Sequence, residues 1–90
     1  MLSNRQLFLH HLGQTSPAPM MLEIISADGV FMYGPDGKKY IDLISGVSVS
    51  NTGHNHPRVV AAIKAQVDSY THLMVYGELI LTPQIKYAQQ

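Results

Sequence analysis

Histidines and lysines are the residues of this 90-residue chain whose types most readily carry chemistry. His54 and His56 form a His-x-His pair, and two imidazoles at that spacing can chelate a metal ion. Zinc needs a third and usually a fourth ligand, and His10, His11 and His72 stand at no spacing that would supply one. We therefore expect both histidines to serve helix entry and packing, and we predict no metal site.

Lys38 and Lys39 could in principle form a Schiff base, but such a lysine needs a desolvated setting. Both follow a Pro-Asp-Gly turn sequence, which favours solvated side chains. Asp36 and Asp42 have no partner carboxylate at a recognisable spacing, and no serine lies in a G-x-S-x-G motif. Glycine-rich phosphate loops are also absent. The residue types alone predict no catalytic and no cofactor-binding residue.

The composition excludes several classes of protein. Six basic residues balance six acidic ones without clustering, which argues against nucleic-acid binding. No apolar run approaches the roughly 20 residues that span a bilayer, and no signal peptide is recognisable. With 46% apolar residues and no cysteine, we expect a soluble cytoplasmic polypeptide without disulfides. A core of this size supplies only about 3–5 kcal/mol without a covalent or metal staple.

The first half of the chain must form a helix and then a small sheet. Residues 1–22 predict a helix capped by Ser3 and ended by Gly13, followed by an extended arm. Residues 23–44 predict a three-stranded antiparallel meander, with Asp28-Gly29 as a type I′ turn and Pro35-Asp36-Gly37 as the second turn.

The second half is predicted to be a loop followed by helices. Residues 45–56 read as extended or looping, with a brief strand-like alternation around Val47 and Val49. Residues 57–90 are helical: Pro57 begins an amphipathic helix, and Thr82-Pro83 supplies a cap and a start for another. That last helix has about two turns before Gln90, which we interpret as truncation of a longer protein.

One long segment decides the interpretation. In order, it contains Asp28-Gly29, a strand with aromatic residues, Asp36-Gly37-Lys38-Lys39-Tyr40-Ile41-Asp42, Ser45-Gly46-Val47-Ser48-Val49, and Gly53-His54-Asn55-His56-Pro57-Arg58-Val59 continuing to Gln66. This combination closely resembles the opening of class-III aminotransferases, the acetylornithine and ornithine aminotransferase family. More loosely, residues 2–13 resemble the family's N-terminal helix, and residues 83–85 resemble the start of its next core helix.

The resemblance implies an α+β segment, part of the small domain of a fold-type I pyridoxal-phosphate (PLP) transferase whose full-length parent is α/β. It implies that residues 45–56 run toward the active site, with Ser45, Gly46 and Val47 on the substrate side. Some relatives carry an aromatic residue where Val47 stands. For the parent it implies PLP as cofactor, an amine or amino acid and an α-keto acid as substrates, and a homodimer.

The same resemblance implies that the Schiff-base lysine, the aspartate of the pyridine nitrogen and the phosphate loop all lie downstream. We therefore expect residues 57–90 to lead into a cofactor-binding domain that this chain lacks. We expect the chain alone to bind no PLP, to be inactive, and to self-associate through exposed apolar faces. The alternatives are a free-standing α+β binding module without catalysis and, least favoured, a histidine-based metal-binding domain. The sequence does not identify the amine donor.

Overall fold

A computed structural model describes all 90 residues and has an α+β architecture. Its elements, in chain order, are α1 (Asn4–His11), β1 (Ser26–Asp28), β2 (Phe31–Tyr33), β3 (Lys39–Ile41), α2 (Ser45–Ser48), α3 (Pro57–Ser69) and α4 (Thr82–Ala88). The strands form one antiparallel sheet in the order β1-β2-β3. The predicted fold class and the predicted meander are confirmed.

Helix α1 begins where the sequence predicts. Ser3 is its N-cap, and its hydroxyl accepts from the Gln6 amide while the Gln6 side chain accepts from the Ser3 amide, which completes a capping box. The predicted glycine stop is wrong. The helix ends because Leu12 is already extended, at φ −110° and ψ 135°, and Gly13 does not adopt a positive φ.

The first hairpin turn is displaced by one residue from its predicted position. Asp28 pairs with Phe31, so Gly29 and Val30 are the two loop residues. Of these only Gly29 has a positive φ, at 56°, as in a type II′ turn, where glycine takes the first central position. The predicted type I′ turn at Asp28-Gly29 is therefore wrong. The backbone of Gly29 forms an antiparallel bridge with that of His54.

The second turn is confirmed. The Gly34 amide donates to the Lys38 carbonyl at 2.9 Å, and Gly37 takes φ 79°. The Asp36 carboxylate accepts from the Lys38 amide at 3.2 Å, which closes the turn from its side chain. Gly34 is buried, and a Cβ there would approach the Asp36 carboxylate to 2.9 Å.

Residues 45–48 depart from the prediction. They form neither an extended loop nor a strand but the single turn α2, whose backbone is left-handed. The alternation of valine and serine favours an extended strand. The hydrogen bonds described below instead hold this backbone in a left-handed turn.

The two longer helices of the second half lie where their proline signals indicate. Pro57 is the first residue of α3, and His56 Nδ1 accepts from the Arg58 amide at 3.2 Å, as an N-cap side chain does. In α4 the predicted cap is wrong. Thr82 is already helical, Leu81 occupies the N-cap position, and no side chain caps the helix.

No apolar side chain of the chain is buried. The chain divides into two compact units, Met1–Val59 and Val60–Gln90. Within the first unit, the Asn4 amide nitrogen donates to the Glu23 carboxylate at 2.7 Å and Arg5 donates to the Met21 carbonyl at 3.1 Å, which fasten α1 to the arm that follows it. None of the helices combines the length and the apolar character that a membrane span requires.

Candidate functional site

Four consecutive residues of α2 have a left-handed backbone. Their φ angles are 55° at Ser45, 61° at Gly46, 61° at Val47 and 64° at Ser48. The amides of Val47 and Ser48 donate to the Ile44 carbonyl at 3.0 and 3.1 Å, and those of Val49 and Ser50 donate to the Ser45 carbonyl at 2.8 Å. We call residues 45–48 the left-handed turn.

This conformation is costly for L-amino acids. The Cβ atom of each residue crowds the following carbonyl oxygen, at about 1–2 kcal/mol per residue. Three of the four residues carry a Cβ, which gives a total of roughly 3–6 kcal/mol. Val47 is the least suited because it is branched at Cβ. Such strain persists where surrounding structure over-determines the backbone, and it concentrates at functional sites.

Asp42 holds the beginning of the left-handed turn. Its Oδ1 accepts from the Ile44 amide at 3.1 Å and from the Ser45 amide at 2.9 Å. Its Oδ2 lies 2.6 Å from His54 Nε2, and its side chain is only 7% exposed. The Ser45 amide, followed by the His54 ring and the Ile44 amide, stabilises the carboxylate and lowers the pKa of Asp42 below 3.8.

His54, twelve residues after Asp42, is the second residue of this cluster. Its amide donates to the Gly29 carbonyl at 2.8 Å, and the Gly29 amide donates to the His54 carbonyl at 3.0 Å. An ionised carboxylate can only accept, so His54 Nε2 carries the proton that it shares with Asp42. Gly53 suits this position because its φ is 85°, a backbone conformation that residues with a Cβ rarely adopt.

A cavity of about 910 Å³ opens beside this cluster within the first unit. Residues 42–54 line one side of it through Asp42, Ile44, Gly46, Ser50 and His54, and α1, residues 13–24 and Met32 of β2 line the other. Of the three predicted substrate-side residues, Gly46 reaches the cavity wall, whereas Ser45 and Val47 do not line it. Val47 is 81% exposed.

Asp42 and His54 are the site residues that sequence reasoning missed. An aspartate whose carboxylate accepts hydrogen bonds from the amides two and three residues later is a recognisable local motif. Asp42 has this spacing to Ile44 and Ser45. The contact with His54, twelve residues away, has no such signal, because it depends on the bridge between Gly29 and His54.

The two lysines considered above lie away from this cluster. Lys38 forms an exposed ion pair with Asp36, at 3.6 Å, and Lys39 Nζ lies 4.1 Å from the centre of the Phe31 ring. Neither lines the cavity. His56, the second histidine of the pair, caps α3 instead of joining His54. No group of three or more histidine, aspartate or glutamate side chains is arranged to hold a metal ion.

The side chains around the cavity do not by themselves fit PLP. The cofactor needs a lysine amine for its aldehyde and a carboxylate for its pyridine nitrogen. No lysine lines the cavity, both oxygens of Asp42 are already engaged by the turn and by His54, and the Glu23 carboxylate accepts from the Asn4 side chain. We derive no chemical step through the cofactor from these residues.

Comparisons with known proteins give the family context of this cluster. The family model of class-III aminotransferases matches residues 13–90. The chain is 39% identical over 82 residues to the acetylornithine aminotransferase of Methanocaldococcus jannaschii, which covers 90% of this chain and 19% of that protein. It is 39% identical over 62 residues to ornithine aminotransferase 2 of Staphylococcus saprophyticus, covering 69% of this chain and 16% of the relative.

Solved structures agree. The acetylornithine aminotransferase of Elizabethkingia anophelis superposes with a TM-score of 0.77 at 30% identity, over 92% of this chain and 21% of that one. The chain thus spans only about a fifth of the length of the relatives that it matches. Because the family match covers most of its residues, the chain belongs to the class-III aminotransferases.

Proposed function

We propose that this chain forms the N-terminal part of a PLP-dependent transaminase, in which it supplies part of the substrate pocket. The whole enzyme moves an amino group from an amine or amino acid to an α-keto acid. Ser45, Gly46 and Val47 meet the substrate, and the rest of the protein supplies the cofactor site. A cytoplasmic location and a homodimeric assembly of the whole enzyme belong to the same proposal.

The left-handed turn is the observation that supports this proposal most. It combines backbone strain, a carboxylate cap and a position at the wall of a cavity. The absence of a Cβ at Gly46 lets a ligand approach the backbone there. Strain held in place by specific contacts is characteristic of binding and catalytic sites.

The proposal includes inactivity of the isolated chain. No lysine lines its cavity, and the two acidic residues there, Glu23 and Asp42, are engaged by Asn4 and by His54. Transaminase activity therefore requires residues outside this chain. The names of the relatives suggest suitable donors, since they act on ornithine, acetylornithine and taurine, the last with 2-oxoglutarate.

A segment exchange tests the proposal. The 82 residues of this chain that align with the Methanocaldococcus jannaschii acetylornithine aminotransferase replace the corresponding segment of that enzyme. We expect the PLP-loaded exchange protein to transfer amino groups to 2-oxoglutarate from at least one of these donors, measured as glutamate formed. The 90-residue chain with PLP should form none.

A graft of the same segment with Gly46→Pro is the control. Proline fixes φ near −65°, which is incompatible with φ 61° at this position. We expect this variant to bind PLP but to lose most of its activity. An exchange protein that folds and binds PLP yet never transfers an amino group would refute the proposed function and favour a non-catalytic binding module.

A further inference from the structure

We propose that Asp42 and His54 are positioning residues, whose contact holds the Ser45–Ser48 turn in its left-handed form. Neither residue was among the predicted site residues, and neither needs to touch substrate to have this effect. The consequence for substrate affinity rests on the proposed function above, whereas the effect on the turn does not.

The first support for this proposal is the fixed position of Asp42. Asp42 directly follows β3, and its backbone amide donates to the Val30 carbonyl at 2.8 Å. This hydrogen bond ties Asp42 to the loop of the first hairpin. From that fixed backbone, Oδ1 accepts from two successive amides at the entrance to the turn, those of Ile44 and Ser45. Ile44 itself is right-handed, at φ −88° and ψ −33°, so these two hydrogen bonds fix the point at which the left-handed turn begins.

The second support is the independent anchoring of His54. Both its amide and its carbonyl pair with Gly29, so its backbone is fixed to the same hairpin as Asp42. The following residue adds a further tie, because the Asn55 amide nitrogen donates to the Ala27 carbonyl at 2.7 Å. The imidazole therefore approaches Oδ2 from a fixed position and sets the direction of the carboxylate plane.

These contacts close residues 43–53 into a loop with adjacent ends, as in other compact surface loops. The loop makes no buried apolar contacts of its own, since its valines are 81% and 78% exposed at Val47 and Val49. Packing therefore does not hold the left-handed turn. Hydrogen bonds hold it, and the 2.6 Å contact between Asp42 and His54 is the shortest of them.

Nuclear magnetic resonance of the 90-residue chain tests the positioning role directly. At φ 61° the H–N–Cα–Hα torsion angle of Val47 is close to zero, which brings its amide hydrogen close to its Hα. Val47 should therefore give a strong intraresidue nuclear Overhauser cross-peak between these two hydrogens. We expect this cross-peak in the wild-type chain and a loss of more than about half its intensity in His54→Leu and Asp42→Ala. His54→Gln places an amide donor where Nε2 stood, and it should restore the signal.

His56→Leu is the matched control, because it removes the side-chain cap of α3 and leaves the contact between Asp42 and His54 intact. Cross-strand signals between Phe31 and Ile41 monitor the meander in every variant. The proposal is overturned if the Val47 cross-peak survives in His54→Leu, if His56→Leu abolishes it equally, or if the wild-type chain lacks it.

The consequence for substrate is measured in the segment-exchange enzyme. We expect His54→Leu to raise KM for the amine donor by roughly tenfold while kcat changes less than about threefold, and His54→Gln to reverse most of this rise. An unchanged KM would show that the positioned turn does not contribute to substrate affinity. An exchange enzyme that is inactive with the wild-type segment would instead count against the proposed function, and the resonance test of the turn would still decide the positioning role.

Discussion

At the scale of single residues, Val47 carries the clearest conflict between side chain and backbone. It is branched at Cβ, it adopts φ 61° and ψ 60°, and it is 81% exposed. Its side chain therefore gains little from burial while its backbone is strained. Val49, two residues later, is similarly exposed but has right-handed angles of φ −94° and ψ −43°.

These two valines give a matched pair of substitutions. Val47→Gly should stabilise the chain by about 0.5–1 kcal/mol, because relief of left-handed strain exceeds the entropy cost of glycine. Val49→Gly should destabilise it by about 0.5 kcal/mol, because it adds only the entropy cost. Urea unfolding of both variants measures the difference, and equal effects of the two substitutions would contradict a strained Val47.

The Asp42 carboxylate predicts a pH dependence. Its pKa is lowered in the folded chain below the ordinary value of 3.8, so the folded state binds the proton less readily than the unfolded state. The stabilisation is fully present well above pH 3.8 and is lost as pH falls through the lower folded pKa. The groups that face this carboxylate are the His54 ring and the amides of Ile44 and Ser45.

The difference in unfolding free energy between the wild-type chain and Asp42→Asn isolates this contribution, because asparagine does not titrate. We expect the difference to be constant near neutral pH and to shrink below about pH 4. A difference that stays constant down to pH 2 would show that the carboxylate has no favourable setting in the folded chain.

The resemblance to relatives predicts Gly46 on the substrate side, and a glycine suits close backbone approach. The spacing of Asp42 to Ile44 and Ser45 could indicate a cap, but its contact with His54 could not be found from the sequence. A search for neighbouring carboxylates misses a carboxylate whose partners are two amides and one distant imidazole. Its role depends on where the hairpin places residue 54.

At the scale of elements, the loop of residues 43–53 depends on its attachment to the first hairpin. Gly29 and His54 exchange two backbone hydrogen bonds, and Gly53 takes φ 85° just before His54. The meander and α3 were predictable, since turn residues and apolar spacing act locally. The left-handed turn was not, because local propensity favours extended or right-handed backbone for valine and serine, and contacts from Asp42 and His54 overrule it.

A pair of glycine substitutions tests this attachment. Gly53→Ala should destabilise the chain by about 1–2 kcal/mol, because alanine is strained at φ 85°. Gly13→Ala has open space and no positive φ, and it should be neutral or slightly stabilising. Thermal unfolding compares the two variants, and similar losses of stability would argue against a glycine requirement at Gly53.

At the scale of the whole molecule, the chain buries no apolar side chain although 46% of its residues are apolar. Ile80 and Leu43 are each 89% exposed, and the face of α3 that carries Ile63 and Val67 is more than half exposed. Exposed apolar surface on this scale favours association. The composition alone could not predict this exposure, because the same fraction of apolar residues also fits a buried core.

We therefore expect the isolated chain to self-associate. Sedimentation velocity over a range of concentrations should show the weight-average mass rising with concentration, and raised temperature should strengthen the association as hydrophobic contacts do. A single monomeric boundary at the highest concentration would contradict this expectation.

The isolated chain should also fail to form a specific PLP adduct. Addition of PLP, reduction with borohydride and peptide mass analysis should find only partial labelling spread over several exposed lysines. One adduct per chain at a single lysine would contradict the proposal that the cofactor site lies outside these residues.

The most direct test of the account is whether substrate reaches the left-handed turn. The chain has no cysteine, so Val47→Cys in the segment-exchange enzyme introduces one thiol at the turn, and Val30→Cys places one in the hairpin loop as a control. We predict that a saturating amine donor slows thiol labelling at position 47 at least severalfold and leaves position 30 unchanged. Equal labelling rates at position 47 with and without donor, in an enzyme that turns over, would contradict the account.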